Sequence, residues 1–203
     1  MGLLKSIKIF FRLIKDAPKI VEQIKEQQEE YLSLSTDALS ALADDELFSA
    51  AVSRAEAIVD SHDSVSEGFD ALKEHQKVLY AVNYLEMEVN NGGLCQFFVN
   101  SSRAVAPYIS EYLGIIGAED HKTLFDTFVA KNQIDLTDLS SFEIRRIRDF
   151  EKQAVRYPFD EFDDAFYRLD TLETPLIAYI RKNISAFFAF KNTLAVYTII
   201  FYY

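Results

Sequence analysis

The chain is predicted to be all-α, a compact multi-helix single domain, and three observations carry that expectation. Its 203 residues include only six Gly and four Pro, too few for a turn-rich β architecture. Apolar residues recur near a 3.6-residue period, as in Phe69, Leu72, Val78, Leu79, Val82, Leu85 and Val89. Helix-starting side chains stand ahead of such runs at Thr36-Asp37, Asp44-Asp45-Glu46 and Ala118-Glu119-Asp120. With 49% hydrophobic and 14% aromatic residues the chain has the material for a sound core.

Taken in order, Met1 to Gln28 reads as an amphipathic helix. Lys5, Lys8, Arg12, Lys15 and Lys19 fall within about 80° on a helical wheel, beside a wide arc of Leu, Ile and Phe. Two readings stay open: a membrane-surface anchor whose lysines meet anionic headgroups, or a helix packed on the body. Residues 1–35 therefore form a basic helix and linker. The run from Asp44 to Val59 is a helix opened by three acids. Phe69 to Val89 reads as one long helix that Asn90-Asn91-Gly92-Gly93 ends, with glycine supplying a left-handed cap. Leu94–Val99 follows as a short helix, and Asn100-Ser101-Ser102 offers cap oxygens to a helix over Arg103–Leu113, closed between Gly114 and Gly117. His121–Lys131 is the next helix. Ser140-Ser141-Phe142-Glu143 resembles a capping box for a helix to Arg156. Tyr157-Pro158 opens another through Leu169, and Pro175 opens the last of the body, to Asn183. Residues 184–203 form an apolar tail with seven aromatics and Lys191 as the sole charge. It is long enough to be weighed as a membrane span; packing on the body or a partner, or an origin outside the domain, are the alternatives.

The net charge of −11 hides an asymmetry. Residues 1–25 carry six basic and two acidic residues, and the remainder fifteen basic against thirty acidic. Such a body repels nucleic acid and attracts basic surfaces. Arg145, Arg146 and Arg148 make a local basic cluster, too small for a nucleic-acid site. The single Cys95 excludes an intrachain disulfide and fits a reducing compartment, so a cytoplasmic protein, with membrane-peripheral contact if the first helix is an anchor, is expected. No secretory signal is read in the charged first segment.

Two constellations are candidate sites. Glu86, Glu88, Asn90, Asn91, Gln96 and Asn100 cluster in sequence around Gly92 and Gly93. Glu86 and Glu88 lie about 200° apart on a helix and cannot line one catalytic site together. The set therefore reads as a structural network at a helix break, with a ligand pocket or acid–base work as the other readings. The second is Asp160, Glu161, Asp163 and Asp164, continued by Asp170 and Glu173. On a wheel the first four oppose Phe162, Phe166 and Leu169, so they are expected on a solvated face that a basic protein could dock against. His62, His75 and His121 show no ligand spacing, and no metal or cofactor is expected.

Glu86-Met-Glu-Val-Asn-Asn-Gly-Gly-Leu-Cys-Gln-Phe-Phe-Val-Asn-Ser-Ser102, Ile115-Ile-Gly-Ala118, Phe159-Asp-Glu-Phe-Asp-Asp-Ala-Phe-Tyr167 and Leu176-Ile-Ala-Tyr-Ile-Arg-Lys-Asn183 occur in one order. That series, over roughly residues 36–183, resembles a bacterial domain family named for an acidic nineteen-kilodalton DNA-mimic protein. Leu94 and Arg103 depart from its pattern, and neither end of the chain belongs to it. The resemblance implies an all-helical fold, no cofactor, and for the name-giving member a dimer whose acidic surface occupies the DNA-binding site of a transcription factor. The expected function is thus a non-enzymatic acidic binding protein for a basic, DNA-binding partner. The competing expectation is a peripheral membrane adaptor or immunity-type inhibitor held by its first helix.

Overall fold

A computed structural model describes residues 22, 23 and 25–188, and every regular element among them is helical. The first, α1, spans residues 25–33. It is followed by α2 (Thr36–Ser40), α3 (Asp44–Asp60), α4 (Val65–Ala71) and α5 (Glu74–Val99). A 3-10 segment (Ser101–Tyr108) leads into α6 (Ile109–Ile115) and α7 (Glu119–Lys131). After a 3-10 turn at Ser140–Phe142 come α8 (Ile147–Ala154), α9 (Phe159–Phe166), α10 (Glu173–Lys182) and α11 (Ile184–Phe188). The helix α7 lies against both α6 and α9.

The core is built around α5. Its Val78, Leu79, Ala81, Val82, Leu85 and Val89 have no exposed surface, because α3, α6, α9, α10 and the 3-10 segment all pack on it. A helix covered on several sides is apolar around much of its circumference, which is why its sequence looked long and continuous. The run Phe69–Val89 is nevertheless two helices, not one. Leu72 is extended (φ −64°, ψ 149°) and ends α4. Gln76 then caps α5, accepting from the Lys73 N–H at 3.0 Å and donating to the Phe187 carbonyl at 3.3 Å. The drift in the 3.6 period across Leu72–Val78 is this break.

Two further expectations are corrected. The helix expected over Arg103–Leu113 begins at Ile109, preceded by 3-10 turns that contain Pro107. Proline has no N–H for an α-type bond and crowds the preceding turn. Nor does Asn100 cap this segment with its side chain, which is engaged elsewhere. The helix expected from Ser140 is a single 3-10 turn followed by extended Glu143, and α8 starts only at Ile147. Asp138, not the Ser-Glu pair, receives the Ser140 N–H at 3.1 Å. Gly117, by contrast, does close α6 with a positive φ of 76°.

Arginines tie the ends to the middle. Arg54 of α3 donates to the carbonyls of Tyr31 (Nη2, 2.9 Å), in the last turn of α1, and Leu34 (2.6 Å), just past it, where the helix leaves carbonyls without a helical partner. Its guanidinium also lies 4.9 Å from the Phe188 ring centre. Arg181 likewise reaches the Leu42 carbonyl (2.6 Å) and Asp44 (2.7 Å). Arg54→Ala is expected to cost about 2–3 kcal/mol in urea unfolding, since charged hydrogen bonds to buried carbonyls are lost together. Arg54→Lys should recover only part, lacking the fork; an unchanged midpoint for the alanine variant would dismiss this role.

Residues 184–188 of the apolar tail belong to this core, with Phe187 and Phe188 buried. The remainder, 189–203, and the basic stripe of Lys5, Lys8, Arg12, Lys15 and Lys19 lie outside the described residues. Among those described, no helix is long and apolar enough to cross a membrane.

Candidate functional site

The helical path of α5 breaks at Gly92 (φ −161°, ψ 19°) and Gly93 (φ 81°, ψ 172°). The break falls where the Asn-Asn-Gly-Gly run places it, but it is not a left-handed cap. Gly93 combines positive φ with an extended ψ, a conformation that residues with a Cβ essentially do not adopt. The chain is thereby re-aimed, and the second segment starts with a free Leu94 N–H. Asp163 of α9 receives it at 2.8 Å through Oδ1. On the other side of the break, Tyr167 Oη donates to the Val89 carbonyl at 2.7 Å. Asp163 of α9 and Tyr167, the residue that follows it, therefore close both ends of the interruption.

Next to it sits a buried carboxylate. Glu88, only 7% exposed, accepts from Gln96 Nε2 at 2.7 Å, Asn100 Nδ2 at 2.9 Å and Ser102 Oγ at 2.9 Å. Both oxygens are occupied by neutral donors, and all three donors lie beyond the kink. Glu88 thus clamps the re-started helix onto the first one. Glu86 points elsewhere: its Oε1 accepts from Thr171 Oγ1 (2.9 Å) and the Leu172 N–H (2.8 Å), holding the entry to α10. Asn90 and Asn91 are exposed and make no side-chain hydrogen bond among the described residues. The six polar residues expected to act as a set are therefore three separate groups. Ser102 joins Glu88, although nothing in its spacing marked it. With its acceptors filled, Glu88 has no position from which to exchange a proton with a substrate. Burial, with Asp163 nearby, pushes the Cys95 thiol up to about 11, so the one cysteine stays protonated.

The acidic segment divides too. Phe159, Phe162 and Phe166 are buried at 2%, 2% and 5% exposure, and Asp160, Glu161 and Asp164 are exposed opposite them. Asp163 is not on that face. It is half-buried against Gly93, and burial, reinforced by Asp160 and Asp164, raises its carboxyl above the ordinary value despite the Leu94 N–H. The apolar wheel position of Asp163 is intermediate, and its short side chain reaches the kink. Lys131 approaches Glu161 at 3.5 Å, with both side chains largely exposed, a contact worth little in water. Among the described residues Arg168 forms no ion pair with Asp164. Asp170 and Glu173 are exposed on the approach to α10.

Asp170 also borders a cleft of about 410 Å³ between the start of α7 and the turn before α10, lined by Ala118, Glu119, Asp120, His121, Leu169 and Thr174 among others. Among the described residues, no group of three His, Cys, Asp or Glu side chains is placed to hold a metal ion. His75 is paired with Tyr179 Oη at 2.6 Å, and His62 is bonded to the Ile58 carbonyl at 2.8 Å. Arg145, Arg146 and Arg148 are exposed.

No curated protein and no solved structure matches the chain. A family model described as DMP19-like protein does, over residues 70–183. The match begins later than residue 36, so α2 and α3 lie outside it, while the whole kink, Glu88 and its donors, α9 and α10 fall within it. The polar run that reads so distinctively in sequence lies within that match, and the chain belongs to the DMP19-like protein family.

Proposed function

We propose that this protein is a non-enzymatic acidic binder that occupies the nucleic-acid-contacting surface of a basic protein. The observation that carries the reading is the exposed face of Asp160, Glu161 and Asp164 on a short helix whose other side is locked by three buried phenylalanines. Side chains three and four apart on a helix stand ~5–6 Å from one another by Cβ. Three charges over little more than one helical turn approach the linear charge density of a nucleic-acid strand, about one per 3.4 Å of axis. A rigid array of this kind costs a partner less to engage than flexible acids do, since little ordering remains to be done. Membership of a family named for a DNA mimic supports the same reading, as does the net charge of −11.

The test is affinity capture by the full-length protein at low salt, followed by elution with duplex DNA. A partner held through its nucleic-acid surface is released by DNA and by salt, whereas one held elsewhere is released by salt alone. Reversing Asp160, Glu161 and Asp164 to Lys should abolish capture of the DNA-released partner and leave the melting temperature within a few degrees, because all three side chains are exposed. Retained capture by the reversed protein would remove the α9 face from the mechanism.

A further inference from the structure

We infer that the outer surface of the break in α5, carried by Asn90, Asn91 and Met87, meets the base-reading side chains of the basic partner, while the α9 acids meet its phosphate-binding ones. The inference rests on the binding reading above and adds to it the residues that make the contact specific.

The polar run around the break splits into side chains that are used and side chains that are not. Glu86, Glu88, Gln96 and Asn100 are consumed in holding helices together. Asn90 and Asn91 are exposed, and neither side chain has a hydrogen-bond partner among the described residues. Gly92 beside them is exposed too, so a partner can approach the backbone closely there. Met87 stands three and four residues before the two asparagines, which places it on their side of the helix, and it is 45% exposed. Tyr167, 53% exposed, borders the same surface through its hydroxyl bond to the Val89 carbonyl. Methionine and tyrosine are enriched where proteins meet.

This surface is held rigidly. Residues 90–93 lie between the Val89 carbonyl and the Leu94 N–H, and the two are tied to Tyr167 and Asp163 at 2.7 and 2.8 Å. The positive φ of Gly93 and the Glu88 clamp fix the same segment from behind. Backbone strain kept at a site whose outward side chains touch nothing points to use by a partner. Asp164 follows Asp163 and stands near enough for its charge to act on both Asp163 and Tyr167. The acidic face and the amide surface therefore adjoin.

Their chemistry decides what the pair resembles. A DNA major groove sets base edges between phosphates: adenine shows a donor beside an acceptor, and thymine shows a methyl group. A carboxamide also holds an N–H donor and a C=O acceptor side by side. Asn and Gln side chains read that arrangement bidentately on adenine. Asn90 and Asn91 offer it, Met87 offers a methyl, and Asp160, Glu161 and Asp164 supply the flanking charge. The amides carry no charge, so they contribute to close fit and not to steering.

The experiment titrates the full-length protein with a capped, alanine-based helical peptide whose arginines flank two glutamines on one face. A control peptide has leucine for both glutamines. NMR follows the side-chain amides of Asn90 and Asn91 and the backbone of Asp160, Glu161 and Asp164. With the glutamine peptide both sets should shift saturably. With the control the acidic set should still shift, the asparagine amides should not, and affinity should fall about tenfold, the worth of one good bidentate pair. Asn90→Leu with Asn91→Leu preserves size and net charge at exposed positions and should leave melting unchanged. It should bind the glutamine peptide about tenfold more weakly and the control no less tightly than wild type does, the signature of a direct pairwise contact. A leucine variant that binds both peptides as wild type does would overturn the inference. So would asparagine shifts that grow with protein concentration in the absence of peptide, which assign the surface to a second copy of the chain. Shifts at the acidic set alone sink this inference and keep the α9 face; no shift at either set sinks both.

Discussion

Gly93→Val is expected to lower stability by about 3 kcal/mol or more. Two causes add. With φ 81° and ψ 172° the backbone occupies a region that a Cβ excludes. That Cβ would also fall on the Asp163 carboxylate, which holds the Leu94 N–H at 2.8 Å. Either the kink straightens or Asp163 leaves, and in both cases α9 loses its purchase on α5. Gly93→Ala should show most of the loss, because the first carbon of the side chain does the damage. Gly92→Ala should cost less, since its φ of −161° is open to any residue, but the new methyl meets the Gln96 side chain and presses on its bond to Glu88. Gly114→Ala should be neutral or stabilising, since its nearest foreign atom is Lys122 Cδ at 3.5 Å and alanine favours a helix. Urea unfolding followed by circular dichroism orders the four variants; a melt of Gly93→Val equal to wild type would contradict the account.

Glu88→Ala is expected to cost about 3 kcal/mol, because Gln96, Asn100 and Ser102 would all lose their acceptor and Ser102 is buried. The carboxylate accepts from all of them at once, so no single neighbour can compensate. Glu88→Gln keeps the shape but turns one acceptor oxygen into a donor facing donors. Gln96 can rotate its amide to meet the change, and the loss should shrink to about 1–2 kcal/mol. Removing one donor, as in Ser102→Ala, should cost about 1 kcal/mol, Glu88 retaining its other partners. If Glu88→Ala unfolds at the wild-type urea concentration, the clamp is not what holds the two halves of α5.

How much of this was readable before folding differs from residue to residue. The helix at Asp44 was legible because acids in a first turn are a local signal. So was the interruption at Gly92-Gly93, since the backbone at Gly93 excludes a Cβ. The break at Leu72 was hidden: Leu72 has no special dihedral requirement, and the signal was only a drift in period that a buried helix also produces. Arg54 and Arg181 were overlooked because each serves carbonyls more than twenty or one hundred residues away, and no spacing rule covers such distances.

The acidic residues show most plainly where sequence ends and tertiary structure begins. Composition alone determined that the body is negative and that a helix with Phe159, Phe162 and Phe166 on one side must turn its acids outward, because burial of phenylalanine outweighs any placement of carboxylates. Sequence likewise set the all-helical class and the position of the kink. Which carboxylates remain free for a partner was decided only by packing. Asp163 is drawn to the Leu94 N–H, Glu86 to Leu172 and Glu88 to three side-chain donors, and each follows from an orphan polar group that exists only once α5, α9 and α10 meet. A helical wheel knows the direction of a side chain but not what the neighbouring helix leaves unsatisfied.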